Sequence, residues 1–304
     1  MKLKHSLFIM GLLLSFYASS KPIKITHMLG STILASKPKR VVAIGLGTLD
    51  ALDAFGIEPV AVTKAIYFPD YLKKYQDKKY VSSGSLFEPD FEAIYMQKPD
   101  VIITGPRAYS SYDELSKIAP TIIFANDDEK GYWESTQQQW RNLGDIFNIE
   151  GKVEQKIRAI NADIQAIQQF NKQHHDSTLI VMTSAGNVTT FGAKSRFSAI
   201  YQDFGFTQAN DIANSSRHGD LISYEFIRQI DPAILFVIDR DTLLNKDKVS
   251  TIDSFSNALI KATRAYKKEQ IILLDLNAWY LSMAGVRATE QMIKDVNKLM
   301  ALYP

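Results

Sequence analysis

The longest regular pattern of apolar and polar positions lies near the middle of the chain, between residues 152 and 171. Its apolar residues recur at steps of three and four, with charged and amide side chains between them: Val153, Ile157, Ile160, Ile164, Ile167 and Phe170. This spacing places them in one stripe on an α-helix of 3.6 residues per turn. The stripe fits both an ordinary amphipathic core helix and a rigid connection between two lobes. Only the pattern of the flanking segments can distinguish these two interpretations.

Strands and helices alternate on both sides of this predicted helix. Before it, apolar runs predict strands at 41–44, 101–104 and 121–124, and helices at 109–119 and 132–147. After it come strands at 179–183, 234–238 and 271–274, a hairpin at 185–192, and helices at 196–204, 223–230 and 288–302. The pattern therefore predicts an α/β fold with a first lobe at 21–150, a connecting helix at 151–172 and a second lobe at 173–304.

Two segments on opposite sides of the central helix align without a gap. Residues 89–104 match residues 222–237, which pairs Glu92 with Glu225 and Pro99 with Pro232. In each segment a short predicted helix carries the glutamate, and the proline then begins a buried strand. A repeat that occurs once per lobe favours a pseudo-symmetric pair of lobes. The alternative is that helix–proline–strand junctions look alike without being repeats.

The first twenty residues differ from the rest of the chain. Lys2 and Lys4 precede an apolar core at 7–16, and Ala18 and Ser20 occupy the small-residue positions before a cleavage at Lys21. This combination is typical of a secretory signal peptide, and the apolar core is too short to span a membrane. The mature protein is therefore predicted to be exported.

Net charge and cysteine content exclude several classes of partner and indicate the cellular compartment. Without the signal peptide the chain has 33 basic and 33 acidic residues, which argues against nucleic acid and against a polybasic membrane anchor. The sequence has no cysteine, which excludes disulfides, thiolate metal sites and the lipid anchor of a bacterial lipoprotein. An exported protein without that anchor is retained only where an outer membrane confines it. The periplasm is the predicted compartment, with secretion to the medium as the alternative.

Enzyme signatures are missing from the sequence. The motifs HExxH, GxSxG and GxxxxGK[ST] do not occur, and no nucleophile stands beside a base in a known pattern. Gly45 and Gly47 begin a dinucleotide-like fingerprint, but Asp50 stands where its third glycine belongs. The pair His174 and His175 ends the central helix among polar residues, which is more typical of solvated side chains than of a metal site.

Polar side chains follow several predicted strands, where α/β lobes place their ligand contacts. Arg107 follows the strand at 101–104, Arg196 the hairpin and Arg240 the strand at 234–238. His218 lies in the loop SSRHGD, and Tyr280 follows the last strand in LDLNAWYLS. A single loop arginine is usually a solvated charge, but three at strand ends of a neutral protein favour a positive cleft for an anion. Arginine suits oxygen-rich ligands because its planar fork donates several hydrogen bonds.

Four segments carry a resemblance to a known family: GSLFEPDFEAI, KPDVIITGPR, FGAKSRFSAIYQDFGF and LDLNAWYLSMAG. Over nearly the whole mature chain, the sequence resembles the periplasmic binding proteins of ferric-siderophore ABC importers, most of all the catecholate binders. The resemblance implies the helical-backbone periplasmic binding protein fold. It also implies that Arg107, Arg196 and Arg240 hold a ferric catecholate, and that His218 and Tyr280 are the protein ligands of its iron.

The same resemblance implies the partners. Glu92 and Glu225 match the paired lobe glutamates that meet arginines on the permease. The cargo would be a ferric siderophore such as enterobactin or its linear bis-catecholate products, with no permanent cofactor, and the protein would act as a monomer. A histidine and a tyrosine can fill the last two of six iron positions only when the siderophore is tetradentate. The residues leave the choice between a tetradentate and a hexadentate cargo open.

The sequence thus predicts a periplasmic substrate-binding protein, not an enzyme, that captures a ferric catecholate siderophore and delivers it to an inner-membrane ABC permease. The nearest alternative is a binder of haem or a cobalamin on the same fold. An exported hydrolase is the alternative from a different class.

Overall fold

A computed structural model of the chain describes residues 22–127, 130–209, 218–243, 255 and 257–303. The predicted signal peptide at 1–20 lies outside the described residues, as does most of the polar loop that follows Arg240. In the described part of the chain, no helix has both the length and the apolar character needed to cross a membrane.

The first lobe is built on a five-stranded parallel sheet with the order β5-β4-β3-β6-β7. Its strands are β3 (Val41–Ile44), β4 (Ala61–Val62), β5 (Val81–Ser82), β6 (Val101–Thr104) and β7 (Thr121–Ile123), preceded by a hairpin of β1 (Ile23–His27) and β2 (Gly30–Leu34). Its helices are α1 (Leu46–Phe55), α2 (Phe91–Met96), α3 (Tyr112–Ser116) and α4 (Tyr132–Phe147), with 3-10 turns at Asp70–Gln76 and Pro106–Ser111.

A single helix, α5 (Glu150–His174), connects the lobes and confirms the predicted long helix. Val153, Ile157, Ile160, Ile164 and Ile167 are all at most 5% exposed. They belong to one apolar cluster that also contains core residues of both sheets. Because α5 packs into a core that both lobes share, we expect the lobes to move little relative to each other.

The second lobe contains a mixed sheet with the order β11-β9-β8-β12-β13, and β10 pairs with the start of β8. Its strands are β8 (Ser177–Ser184), β9 (Asn187–Thr190), β10 (Thr207–Gln208), β11 (Asp220–Ile222), β12 (Ile234–Asp239) and β13 (Ile271–Leu274). Its helices are α6 (Ala199–Gln202), α7 (Tyr224–Ile230), α8 (Ala258–Lys261), α9 (Arg264–Lys267) and α10 (Val286–Met300). A 3-10 turn at Asp241–Leu243 and a π-helical turn at Asn277–Leu281 complete the described elements.

Two predicted helices are shorter than the sequence pattern suggests. The segment at 109–119 divides between the end of the 3-10 turn Pro106–Ser111 and α3. The turn itself is kinked at Ala108, whose dihedral angles are non-helical. Arg107 therefore lies inside a turn that Pro106 begins, a position that proline favours. The segment at 196–204 is helical only from Ala199, and short-range backbone hydrogen bonds hold Arg196 in the preceding turns.

The repeat is visible in the local geometry of α2 and α7. Asp90 accepts a hydrogen bond from the backbone N–H of Ala93, and Ser223 at the matching position accepts one from Phe226. Such side-chain caps satisfy the first free N–H groups of a helix. Both helices lead through a residue with positive φ into a buried parallel strand, β6 or β12. Glu92 and Glu225 therefore occupy equivalent, exposed positions in the two lobes.

Candidate functional site between the lobes

A cavity of about 720 Å³ lies between the two lobes. Its first-lobe wall comes from the carboxyl ends of β3, β6 and β7, which supply Gly45, Gly105 and Phe124 among others. Its second-lobe wall includes Arg196, His218 and the π-helical turn that carries Tyr280. Loops at strand ends thus form both walls, as in other α/β proteins that bind ligands in a crevice.

Tyr280 is held in place by its buried neighbour in the π-helical turn. Trp279 is fully buried, and its indole N–H donates to Asp295 on α10 at 3.1 Å. The backbone N–H of Ala278 donates to Asp275 and fixes the start of the turn. Because Trp279 points into the core, the half-buried side chain of Tyr280 points into the cavity. π-Helical turns of this kind are frequent at functional sites.

Three guanidinium groups surround the Tyr280 ring. The Cζ atoms of Arg107, Arg196 and Arg240 lie 5.0, 5.1 and 5.3 Å from its centroid, within the range of cation–π contacts. Arg107 also donates a hydrogen bond to the backbone carbonyl of Tyr280 at 2.8 Å, which links the first lobe to the second. The three arginines predicted from separate strand ends therefore meet around the predicted tyrosine.

The arginine cluster is not neutralised by ion pairs within the part of the chain that the structure describes. Within the described ranges, none of the three arginines forms a salt bridge with a carboxylate. The Nε atom of Arg196 is buried and has no hydrogen-bond partner in that part of the chain. Burial lowers the pKa of Arg107, and its two neighbouring arginines lower it further. The cleft is therefore ready to receive an anion.

The arginine cluster also changes the acidity of Tyr280. Burial alone would raise the pKa of its phenol, but the charges of Arg107, Arg240 and Arg196 and a hydrogen bond from Arg196 outweigh burial and hold the pKa below its usual value of 10.0. Other described tyrosines behave in the opposite way, with pKa values raised mainly by burial, or for Tyr80 by a hydrogen bond to Glu58: Tyr71, Tyr75, Tyr80, Tyr132, Tyr201 and Tyr303.

We therefore expect Tyr280 to ionise below the pKa of a free tyrosine in a titration of the ligand-free protein. Near-ultraviolet absorbance follows phenolate formation directly. The early-ionising step should be absent from Tyr280→Phe, and it should move to higher pH in Arg196→Ala because one of the stabilising cations is removed. An unchanged titration in Tyr280→Phe would show that the early step belongs to another tyrosine.

The remaining predicted site residues lie at different places. His218 is exposed on the rim of the same cavity, beside residues 210–217, which are not described. Glu92 and Glu225 are not among the residues that line the cavity. The structure thus brings Arg107, Arg196, Arg240 and Tyr280 together, places His218 at the edge of that group, and keeps both glutamates on the outer surface.

Several cavity residues were not predicted from the sequence. Tyr109 and Lys194 line the cavity, and each stands two residues from a predicted arginine, so chain proximity could have suggested them. Phe87 is 60% exposed and does not line the cavity, but its ring centroid lies 5.6 Å from the Cζ atom of Arg107. No sequence pattern pointed to Thr48, which also lines the cavity.

Two α/β lobes on one connecting helix, with a cationic cavity between them, define a substrate-binding protein. The chain belongs to the periplasmic binding protein family, whose pattern matches residues 41–278.

Individual relatives make the comparison more specific. The chain is similar to the periplasmic catecholate-siderophore binding protein VctP from Vibrio cholerae, with 56% sequence identity. Its crystal structure matches with a TM-score of 0.89, over 91% of this chain and 100% of that one. The petrobactin-binding protein YclQ of Bacillus subtilis is 38% identical, over 90% of this chain and 87% of that protein. The ferric-anguibactin-binding protein FatB of Vibrio anguillarum is 32% identical, over 91% and 87%.

Proposed function

We propose that the protein captures a ferric catecholate siderophore in the cleft between its lobes and delivers it to an inner-membrane ABC permease for iron uptake. The observation that carries the proposal is the arginine cluster around Tyr280, with three guanidinium groups within 5.3 Å of one ring. Ferric catecholates are anionic and rich in oxygen, which suits bidentate donors. A multiply charged chelate fits three arginines better than a cobalamin does. The relatives described above are named for binding a catecholate siderophore, petrobactin and ferric anguibactin.

In this proposal the arginine cluster binds the catecholate oxygens, and Tyr280 and His218 complete the coordination of iron. Fe(III) is a hard ion that favours oxygen donors, and a phenol whose pKa is already lowered ionises readily beside it. Two protein ligands are compatible with a tetradentate bis-catecholate, such as a linear product of enterobactin. Intact enterobactin is hexadentate, so it would bind through its charge alone. The iron is cargo in either case.

We infer that the protein works in the periplasm as a monomer and performs no catalysis. The predicted signal sequence, the absence of cysteine and the periplasmic relatives support that compartment. Glu92 and Glu225 would dock on the permease, because they occupy equivalent exposed positions in the two lobes.

The proposal is tested by titrating the purified mature protein with ferric bis- and tris-catecholates. Binding should quench the fluorescence of the three tryptophans and should alter the visible absorption band of the complex. Absence of both signals with every catecholate would refute the proposed function.

An arginine variant tests whether the cluster binds the siderophore through its charge. Arg196→Ala is preferable to Arg107→Ala, because Arg107 also holds the backbone of Tyr280. The variant should bind a trianionic tris-catecholate about 10-fold more weakly, as expected when a charge-assisted hydrogen bond is lost. The loss should become smaller at high salt, which screens charge. An equal loss for a neutral ligand would contradict a role through charge.

A further inference from the structure

Among the described residues, three α-helices have a glycine at the N-cap position and no side-chain cap. They are α1 after Gly45, α4 after Gly131 and α10 after Gly285. The first N–H groups of an α-helix have no acceptor within the helix, and they carry the positive end of the helix dipole. Each of these termini therefore needs an acceptor from elsewhere.

Carboxylates from elsewhere in the chain supply that acceptor at two of the three helices. Asp50 accepts hydrogen bonds from the backbone N–H groups of Arg287 and Ala288 at 3.1 and 2.9 Å, at the start of α10. A Cβ at Gly285 would lie 2.1 Å from the Asp50 carboxylate, so the glycine leaves the space that the carboxylate occupies. At the start of α4, Asp203 of the second lobe accepts from the N–H of Trp133 at 3.3 Å.

No such carboxylate lies at the start of α1 among the described residues. The backbone carbonyl of Met283 approaches Gly47, and the rest of this terminus borders the cavity. Residues 45–48 all line that cavity. Gly45 ends β3 and Gly105 ends β6, and the order of the sheet reverses between these two adjacent strands. Ligands of open α/β sheets bind in the crevice at this switch point.

Thr48 adds a second, independent observation. Its side chain is 1% exposed, and its hydroxyl oxygen has no hydrogen-bond partner within the described part of the chain. The oxygen lies 3.5 Å from where a Cβ on Gly45 would stand and 3.6 Å from a Cβ on Gly105. A buried hydroxyl without a hydrogen-bond partner destabilises the folded protein. A bound ligand would remove that destabilisation.

We propose that Gly45, Thr48 and Gly105 form a cradle for an anionic oxygen of the siderophore. This inference rests on the proposed function and adds a second anion subsite to the arginine cluster. At the start of α1 the ligand oxygen would accept hydrogen bonds from the helix, as the Asp50 carboxylate does at α10 and the Asp203 carboxylate does at α4. It comes either from a catecholate ring or from a free carboxylate on the siderophore backbone.

The test uses two ferric bis-catecholates that differ only in a terminal carboxylate or carboxamide. They are titrated against the wild type, Thr48→Val and Thr48→Ser. Thr48→Val keeps the shape but removes the donor, and should weaken binding about 10-fold, whereas Thr48→Ser should bind like the wild type. If the carboxylate is the source, the wild type prefers that ligand and Thr48→Val loses the preference. If a catecholate oxygen is the source, Thr48→Val weakens both ligands equally.

A second variant fills the cradle without removing a donor. Gly105→Ala places a methyl group beside the Thr48 hydroxyl at a residue with negative φ, and it should weaken binding at least as much as Thr48→Val. Thermal unfolding confirms that both variants fold. Wild-type affinity for both ligands in both folded variants would overturn the cradle and leave the proposed function intact. A wild type that binds no ferric catecholate would overturn both.

Discussion

Replacing Tyr280 by phenylalanine is expected to abolish most of a preference for tetradentate over hexadentate ferric catecholates. The change removes one phenol oxygen and leaves the ring on which the three guanidinium groups pack. A bis-catecholate has two open iron positions and would lose a protein ligand. Since loss of a group that only supports a metal ligand costs about 10- to 100-fold in affinity, loss of the ligand itself should cost on the order of 100-fold.

A tris-catecholate provides the internal control for this variant. Its six oxygens already fill the coordination sphere, so its affinity for Tyr280→Phe should be close to that for the wild type. The contribution of phenolate-to-iron charge transfer to the visible spectrum should disappear only with the bis-catecholate. His218→Ala should have a smaller effect, because imidazole is a poorer donor for Fe(III) and water can replace it. An unchanged spectrum and preference in Tyr280→Phe would leave Tyr280 as a packing residue.

The fold was largely predictable because its main elements have strong local patterns. The α5 stripe repeats over five turns, and each of its aliphatic members is buried. Strands β3, β6 and β13 match the predicted apolar runs to the residue. The pattern was less reliable where turns compete with helices. Arg196 lies in such a segment, where consecutive turns precede the four residues of α6.

The candidate site was only partly predictable, because it depends on contacts between distant residues. Strand-end positions indicated each arginine, but no local pattern reveals that Arg107 donates to a carbonyl 173 residues away. Asp50 is the clearest example. In the sequence it only breaks a dinucleotide fingerprint. In the structure its carboxylate caps the start of α10, although Asp50 precedes the first residue of that helix, Val286, by 236 positions. Such roles arise from tertiary packing, which periodicity does not encode.

The proposed docking surface follows from the repeat. A permease built from two equivalent halves could contact Glu92 and Glu225 in the same way, with one arginine for each glutamate. The two surroundings differ, however. Glu92 on α2 is flanked by exposed apolar side chains, namely Phe91 (40%), Tyr95 (66%) and Met96 (67%). Exposed apolar groups beside a charge are common at protein interfaces, and this favours α2 as the larger contact.

The double variant Glu92→Ala/Glu225→Ala is expected to bind the siderophore normally and to lose transport. Truncating one partner of a buried, hydrogen-bonded charge pair at an interface costs about 2–5 kcal/mol. If both glutamates form such pairs, uptake of radiolabelled iron by cells that depend on this protein should fall at least about 10-fold. Glu114→Ala/Glu150→Ala removes the same charge from two other exposed positions and should transport normally. Fluorescence titration of the purified double variant separates the two roles. A weakened siderophore affinity would assign the glutamates to ligand binding, and normal uptake would show that the permease contacts the protein elsewhere.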